Sequence, residues 1–560
     1  MEIAKYRGSL EKYGIIEPDN DRINGDARID KDDDDTEYVQ FDMECLLCSY
    51  DYCRMFTRDG AVQITLDCGK IDRYSAQYCF NPFWTRPVYG TDVDEIDIEM
   101  QYILLESGDN YIFILPVSNN KFNTTIVSQD GKLTLWVNML YSGAEHISGT
   151  AAVITTDTDP YMSIKKGFRT AYNKGLIKTP PRDGKKYPDV LNKLGWCSWD
   201  AFHHDISEEK LINKLEEFKA KDIPVKWVLI DDGWSQFKDD KLLSIYEDRE
   251  KFPDGLKHTI NRMKTEYGLE AVGVWHSLTG YWYGTDYEDD TVMESRKGRV
   301  IPKGYEFYSK WHSYLREQGV DFIKVDSQGN TVEFLKNTYN ALGLISEIFD
   351  GLEKSAEENF DFMINCMGMN NINSLNHKSS VLLRSSDDFY PKKDDAFYNH
   401  AVDNIYNSVF YNELFYCDYD MWWSKHFAAK QNAVLRYMSG GPVYTSDEPD
   451  GSDNEYIRMF TADDGSFKRP KNALRPTYDC LFGFDKVLKA FNETDDGYFV
   501  TAFTFGDRGR TTVQSSDFGG HGNYEVTEFF SKEHFILSDG ESKDIDLCSN
   551  DVKIYQFVKI

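Results

Sequence analysis

The chain has 560 residues, 41% of them hydrophobic and 15% aromatic, which is ample for large buried cores and excludes a disordered polymer. Its formal net charge of −31 excludes a phosphate-backbone partner such as nucleic acid, which needs clustered Lys and Arg, and fits a neutral small molecule instead. Length alone predicts roughly three or four domains at about 150 residues each, or one large barrel with attachments.

No apolar run approaches the roughly 18 residues of a membrane span, so no membrane partner is expected. The opening residues, Met1-Glu2-Ile3-Ala4-Lys5-Tyr6-Arg7, lack the basic-then-apolar layout of a signal peptide, which predicts a cytoplasmic protein with reduced thiols. Cys45-Leu46-Leu47-Cys48 is a lone CxxC without a matching second pair and reads as strand-core thiols rather than a zinc site. Asp32-Asp33-Asp34-Asp35 lacks calcium-loop spacing and reads as a solvated loop. No metal and no cofactor are expected, and the oligomeric state is not legible.

Residues 1–185 read as a β-sandwich. Gln63 to Leu66 is a short strand, Glu99 to Leu105 and Tyr111 to Val117 flank the hairpin signal Ser107-Gly108-Asp109-Asn110, and Leu133, Leu135 and Val137 mark another strand. From about residue 190 the rhythm becomes strand, loop, helix. Predicted strands are Leu194 to Cys197, Trp227 to Ile230, Ala271 to Trp275, Phe322 to Val325, Phe362 to Cys366, Val381 to Leu383, Leu414 to Tyr416 and Val443 to Thr445. One predicted helix carries Leu211, Ile212, Leu215 and Phe218 on a single face, with Asp205 or Ser207 as its cap; another runs from about Phe307 to Gln318 and stops at Gly319. Eight strands with helical crossovers predict an α/β fold, a (β/α)8 TIM barrel catalytic domain over residues 186–485. An open doubly wound sheet is the runner-up, but no Gly-rich phosphate loop follows the first strand. Residues 486–560 return to β as a small C-terminal domain, with strands at Tyr498 to Phe505 and Val552 to Val558.

Active sites of such barrels lie at the C-terminal strand ends. Those ends read Trp196-Cys197-Ser198-Trp199-Asp200, Asp231-Asp232-Gly233-Trp234, Trp275-His276, Lys324-Val325-Asp326, Asn365-Cys366, Arg384-Ser385-Ser386-Asp387-Asp388, Asp418-Tyr419-Asp420 and Ser446-Asp447. Carboxylates mixed with flat aromatic faces suit sugars, and glycoside cleavage needs one ionised and one protonated carboxyl about the anomeric carbon. Lys324 is expected to keep Asp326 ionised, and like-charge repulsion within Asp387-Asp388 to favour a proton donor. Taken singly, Trp196 and Trp199 read equally as core residues and His276 as a satisfied buried histidine. Their recurrence at strand ends favours the mouth.

These strand-end segments resemble the raffinose synthase, seed imbibition protein and alkaline α-galactosidase group of glycoside hydrolase family 36. The resemblance rests on Leu194 to Phe202, Ile230 to Trp234, Val274 to Trp282, Lys324 to Gln328, Arg384 to Pro391, Asp418 to Met421 and Tyr444 to Pro449, in that order, with Phe83-Trp84-Thr85-Arg86-Pro87 outside the barrel. It implies a retaining α-galactosidase acting on raffinose-type oligosaccharides or small α-galactosides. Asp326 would be the nucleophile, and the Asp387-Asp388 doublet would hold the acid/base, with Asp387 preferred. Asp231 and Asp232 would hold galactose hydroxyls, Lys324 and Arg384 further sugar contacts, Trp84 a contact from the N-terminal domain, and Cys366 the pocket floor. A raffinose-synthase-like transferase, an α-N-acetylgalactosaminidase and an inactive sugar-binding relic are the alternatives. The fifth segment reads Cys366-Met367-Gly368-Met369-Asn370 where Ser/Cys-His-Asn is more usual, and the chain is shorter than plant raffinose synthases, which favours hydrolysis.

Overall fold

The computed structural model describes residues 1–7, 25–44, 62–96, 98–129, 131–140, 146–393 and 395–560. The Cys45–Cys48 pair lies outside the described residues. In the N-terminal part, the predicted hairpin forms from Met100–Ser107 and Asn110–Pro116, with Ser107 opposite Asn110 and Gly108 at φ +60° in the turn. The acidic run is a turn, in which Asp32 accepts backbone N–H groups from Asp34 and Thr36.

The two separate sheets of a sandwich are not what the backbone builds. Eleven antiparallel strands among the described residues hydrogen-bond into one continuous sheet. The reason is the long strand His146–Asp157. Residues 146–154 pair with Glu37–Glu44, with a register shift between Thr150 and Ala152, and residues 152–157 pair with Asn110–Pro116 on the other edge, so the strand joins both parts. Bulged strands commonly turn such corners between layers. Helix Pro160–Asn173 follows, capped by Asp159, which accepts from Tyr161 and Met162 N–H. It lays Phe168 against Tyr102 and Phe113 of the sheet.

All eight predicted strands of the middle region form, and all are parallel. They are β1 (Gly195–Cys197), β2 (Trp227–Ile230), β3 (Ala271–Ser277), β4 (Phe322–Asp326), β5 (Phe362–Asn365), β6 (Leu382–Arg384), β7 (Tyr416–Asp418) and β8 (Tyr444–Thr445). Their order in the sheet is β7-β6-β5-β4-β3-β2-β1-β8, and a parallel bridge between Trp422 and Thr445 links the two edges. β7 starts two residues later than expected, because Leu414 and Phe415 still donate to Tyr411 at the end of helix Ala396–Tyr411. Ser207, not Asp205, caps helix Glu208–Ala220, and the next predicted helix spans Tyr305–Glu317. Two hairpins in the loops after β2 and β3, Ser235–Lys238 with Lys241–Glu247 and Val292–Glu294 with Val300–Pro302, escape the sequence reading.

One face of this sheet carries its own buried cluster, including Cys197, Trp227, Leu229, Phe322, Phe362, Ile364 and Tyr444. Trp227 meets Phe322 and Tyr444, and Phe322 stacks on Phe362 at 4.6 Å. Room for these rings comes from missing side chains. A Cβ at Gly195 would lie 2.1 Å from Trp227, and one at Gly273 would lie 2.3 Å from Phe322. The opposite face packs on the helices. After it the chain forms a six-stranded antiparallel sheet that includes both predicted C-terminal strands, as Gly497–Thr504 and Val552–Lys559. Among the described residues no helix is long and apolar enough to cross a membrane.

Replacing Gly195 by Ala forces Trp227 out of its place. We expect a loss of about 1–3 kcal/mol in denaturant unfolding, the usual cost of overpacking, whereas Gly184→Ala, with open space around its Cβ position, leaves the midpoint within about 0.5 kcal/mol.

Candidate active site

Strand periodicity decides which strand-end residues reach the mouth. Side chains two apart share a face, and the parallel register sets Trp275 beside Lys324 and Ser277 beside Asp326. Lys324, Asp326 and Trp275 therefore share the face that carries Cys197 and Arg384. Trp196 and His276 point the other way, and both expectations for them are corrected. Trp196 packs edge-on against Phe202 and Phe218 of the helical layer. His276 lies over Trp311 and bonds His312 through Nε2, and burial lowers its pKa to about 4, so it is neutral. Each adjoins a residue that does face the mouth, so a one-residue shift separates core from site.

The mouth is organised by two buried cations. Lys324 Nζ bonds Asp231 Oδ2 at 2.9 Å, and the same oxygen accepts the Cys197 thiol at 3.2 Å. Asp232 next to it is buried and accepts from Tyr281 Oη (2.8 Å), Trp282 Nε1 (3.0 Å) and His204 Nε2 (3.1 Å). The aromatic pair Trp275 and Trp282, with centroids 5.6 Å apart, forms a wall here. Trp199, half-buried, stands against His203 and His204.

Arg384 is the second cation, with no exposed surface. Nη1 lies 2.9 Å from Asp420 and 3.6 Å from the Cys366 sulfur, and Nη2 lies 2.9 Å from Asp388. Trp84 covers the guanidinium from the N-terminal sheet, its ring centre 5.3 Å from Cζ. Asn81, accepting from Phe83 and Trp84 N–H, shapes that loop. Phe83 O and Pro82 O accept from Met369 N–H and the Asn370 side chain, which fastens the loop to the segment after β5.

Asp326 accepts from Trp275 Nε1 at 3.0 Å and from Ser327 N–H at 2.9 Å. Burial raises its pKa above the ordinary carboxylate value, against the pull of Lys324 and with Asp388 adding repulsion. The lysine's direct contact is Asp231, and although Lys324, Trp275 and Ser327 all favour the ionised Asp326 as expected, burial outweighs them. The doublet divides. Both border a polar cavity that Arg86 and Asp403 also line, but Asp388 pairs with Arg384 and lies in the field of Asp326, whereas Asp387 interacts with Arg86 and Asp403. Burial, then Asp388, raises the Asp387 carboxyl. Asp200 accepts from Ser446 Oγ at 2.5 Å, and burial raises it to about 8, with Asp420, Asp388 and Asp231 adding repulsion.

Ser327, Met367 and Asp420 all have positive φ, at 64°, 53° and 64°. Left-handed backbone at non-glycine residues costs roughly 1–3 kcal/mol each and clusters at working sites. Here it lies directly after Asp326, directly after Cys366 and at the Arg384 partner itself. The reading of strand ends named Asp420 and Ser446 without giving either a role, and it passed over His204. Asp420 sits in a motif already singled out, and His204 follows Phe202 by two residues. The pairing of Ser446 with Asp200 had no signal, since the two stand 246 residues apart. No cluster of His, Cys, Asp or Glu among the described residues has metal-binding geometry.

The profile of the family described as "Raffinose synthase or seed imbibition protein Sip1" matches residues 62–253 and 285–503. A probable galactinol–sucrose galactosyltransferase 6 of Arabidopsis thaliana is 29% identical over 480 residues, covering 73% of this chain and 63% of the relative. The galactinol–sucrose galactosyltransferase of Pisum sativum is 27% identical over 500 residues, covering 73% of this chain and 61% of the relative. The chain thus spans less than two thirds of the length of these curated relatives. Among solved structures, an α-galactosidase from Lactobacillus brevis superposes with a TM-score of 0.56 at 12% identity, over 100% of this chain and 86% of that one, and so shares the fold.

Two measurements check these electrostatics. Lys324→Met leaves Asp231 buried and unpaired and is expected to cost about 3–5 kcal/mol in denaturant unfolding, part of which the Asp231→Asn double variant recovers. Asp200 binds its proton more tightly folded than unfolded, so it makes stability fall as pH climbs from about 3.8 toward about 8. Asp200→Asn should match the parent near the lower value and exceed it at the upper, read as unfolding midpoints across pH.

Proposed function

The chain belongs to the raffinose synthase or seed imbibition protein Sip1 family, and from that premise we propose that it processes terminal α-galactosides by a retaining double displacement. The curled parallel sheet is read as a (β/α)8 barrel whose mouth is the catalytic pocket. The observation that carries the reading is that Asp326, buried and hydrogen-bonded, and Asp388, held by Arg384, are near enough for Asp388 to raise the Asp326 carboxyl by repulsion. In the first step Asp326 attacks the anomeric carbon while Asp388 passes a proton to the leaving oxygen. In the second, an incoming hydroxyl gives its proton to Asp388 and displaces the Asp326 ester. Two inversions return the original configuration. Asp388 takes this role rather than the initially preferred Asp387, because Asp388 is the one held by Arg384 and felt by Asp326.

Around the sugar, Asp231 and Asp232 have lone pairs for vicinal hydroxyls, Trp275, Trp282 and Trp199 offer faces for the ring, and neutral Cys366 closes the floor. Water and a sugar hydroxyl compete for the galactosyl ester. The printed names of the curated relatives favour a sugar acceptor, whereas the fold neighbour is named as a hydrolase. Raffinose-type oligosaccharides are the substrates this reading favours.

Azide separates the roles. Asp326→Ala should lose at least about 10³-fold in release of 4-nitrophenol from its α-galactoside, and added azide should yield β-galactosyl azide. In Asp388→Ala, azide should accelerate turnover and give the α-galactosyl azide, because formation of the Asp326 ester inverts once and its displacement by azide inverts again. Asp387→Ala should show neither product. An α-azide from Asp387→Ala in place of Asp388→Ala would reassign the acid/base.

A further inference from the structure

Beside the mouth, on the far side of Asp388, lies a polar cavity of about 130 Å³. Arg86 from strand Thr85–Gly90 and Asp403 and Asn399 from helix Ala396–Tyr411 line it, together with Asp387, Asp388 and Tyr390. The mechanism above uses only Asp388 of these.

Asp403 is the informative residue. Its side chain is 8% exposed, and among the described residues no donor stands within hydrogen-bond reach. Its nearest cation is the Arg86 guanidinium at 3.7 Å, too long for a hydrogen bond. A buried carboxylate left this way costs free energy unless something supplies donors. Arg86 is itself held away, stacked 3.9 Å over the Phe80 ring. Burial raises Asp403 to about 7, so near neutrality its carboxyl both accepts and donates.

The lining narrows the occupant. Asp387, Asp388, Asp395 and Asp403 repel an anion, and Arg86 and Lys393 disfavour a cation, in line with the absence of metal-binding geometry among the described residues. The walls are too polar for an apolar group. What fits is a neutral ligand with several hydroxyls, which give hydrogen bonds to the carboxylates and take them from Arg86 and Asn399. Tyr390, partly exposed at the rim, adds a flat face.

We propose that this cavity is the acceptor subsite, in which Asp403, Arg86 and Asp387 hold the hydroxyls of a second sugar beside Asp388. The proposal rests on the double-displacement reading and adds the residues that choose between water and sugar. The acceptor hydroxyl oxygen forms a bond to the anomeric carbon as the bond from that carbon to the Asp326 oxygen breaks. The hydroxyl proton goes to Asp388, and Asp326 leaves as a carboxylate. By reversal, the same cavity holds the departing sugar of the donor.

The test uses the full chain, 4-nitrophenyl α-galactoside as donor and sucrose as acceptor probe. Nitrophenol counts every galactosyl-enzyme formed, and free galactose counts those resolved by water. In the parent protein, sucrose should lower galactose per nitrophenol saturably. In Asp403→Asn, which preserves shape, and in Arg86→Gln, at a partly exposed position, the sucrose concentration for half the effect should rise about tenfold, the loss of one charge-assisted hydrogen bond. An unchanged half-effect concentration in both variants overturns the proposal, as does sucrose that diverts no galactose in the parent. Absence of nitrophenol from the parent protein would instead remove the reading of the catalytic pair, and the subsite with it.

Discussion

Burial of the Arg384 guanidinium is the constraint around which the mouth is arranged. A full charge without solvent must be neutralised on the spot, and Asp388 and Asp420 do so at 2.9 Å each. Satisfying it fixes the segment after β6, forces Asp420 into left-handed backbone after β7 and draws the Trp84 loop over the guanidinium. Lys324 plays the same part on the other side, tying β4 to the end of β2 through Asp231. Neither cation touches Asp326 directly, so that carboxylate keeps its oxygens for Trp275, Ser327 and whatever enters the pocket.

Within this frame, identical side chains acquire different chemistry. Asp232 is surrounded by donors. Asp200, with a single hydroxyl partner and acidic neighbours, is pushed up to about 8. Asp418, bonded by Tyr444 and near Arg384, reaches only about 6. Burial raises each of the last two, and the local donors and cations decide how far. An acidic mouth of this kind divides its carboxyls between accepting, donating and attacking by environment rather than by residue type.

The N-terminal sheet takes part in the site. Its Asn81–Trp84 turn reaches the ends of β5 and β6, and a Cβ at Gly329, just past β4, would meet Pro82 O at 2.5 Å. Arg86, two residues after Trp84 on the following strand, lines the neighbouring cavity. One short stretch thus covers Arg384 in the mouth and borders the cavity beside it. The fold is shared at 12% identity with an α-galactosidase, whereas the curated relatives bear the names of galactosyl transfer. That contrast places the interest of this chain in what surrounds the shared architecture of strands.

Much of this was legible before any coordinates. Short apolar runs closed by polar, charged or aromatic residues marked all eight strands, because a strand buried on both faces needs continuous apolar sequence and its end is where polarity returns. Period-2 alternation was equally available, and applied to Trp196 and His276 it would have turned both away from the mouth. The division of Asp387 from Asp388 was not legible, since adjacent residues in a loop have no fixed alternation and their directions follow from where Arg384 and Arg86 stand. Nor were Asp420 as the partner of Arg384, Ser446 as the partner of Asp200, or the single bulged sheet of the N-terminal region. Local pattern is a property of neighbours along the chain. Charge compensation in a buried site joins residues tens to hundreds of positions apart, and only packing brings them within hydrogen-bond distance.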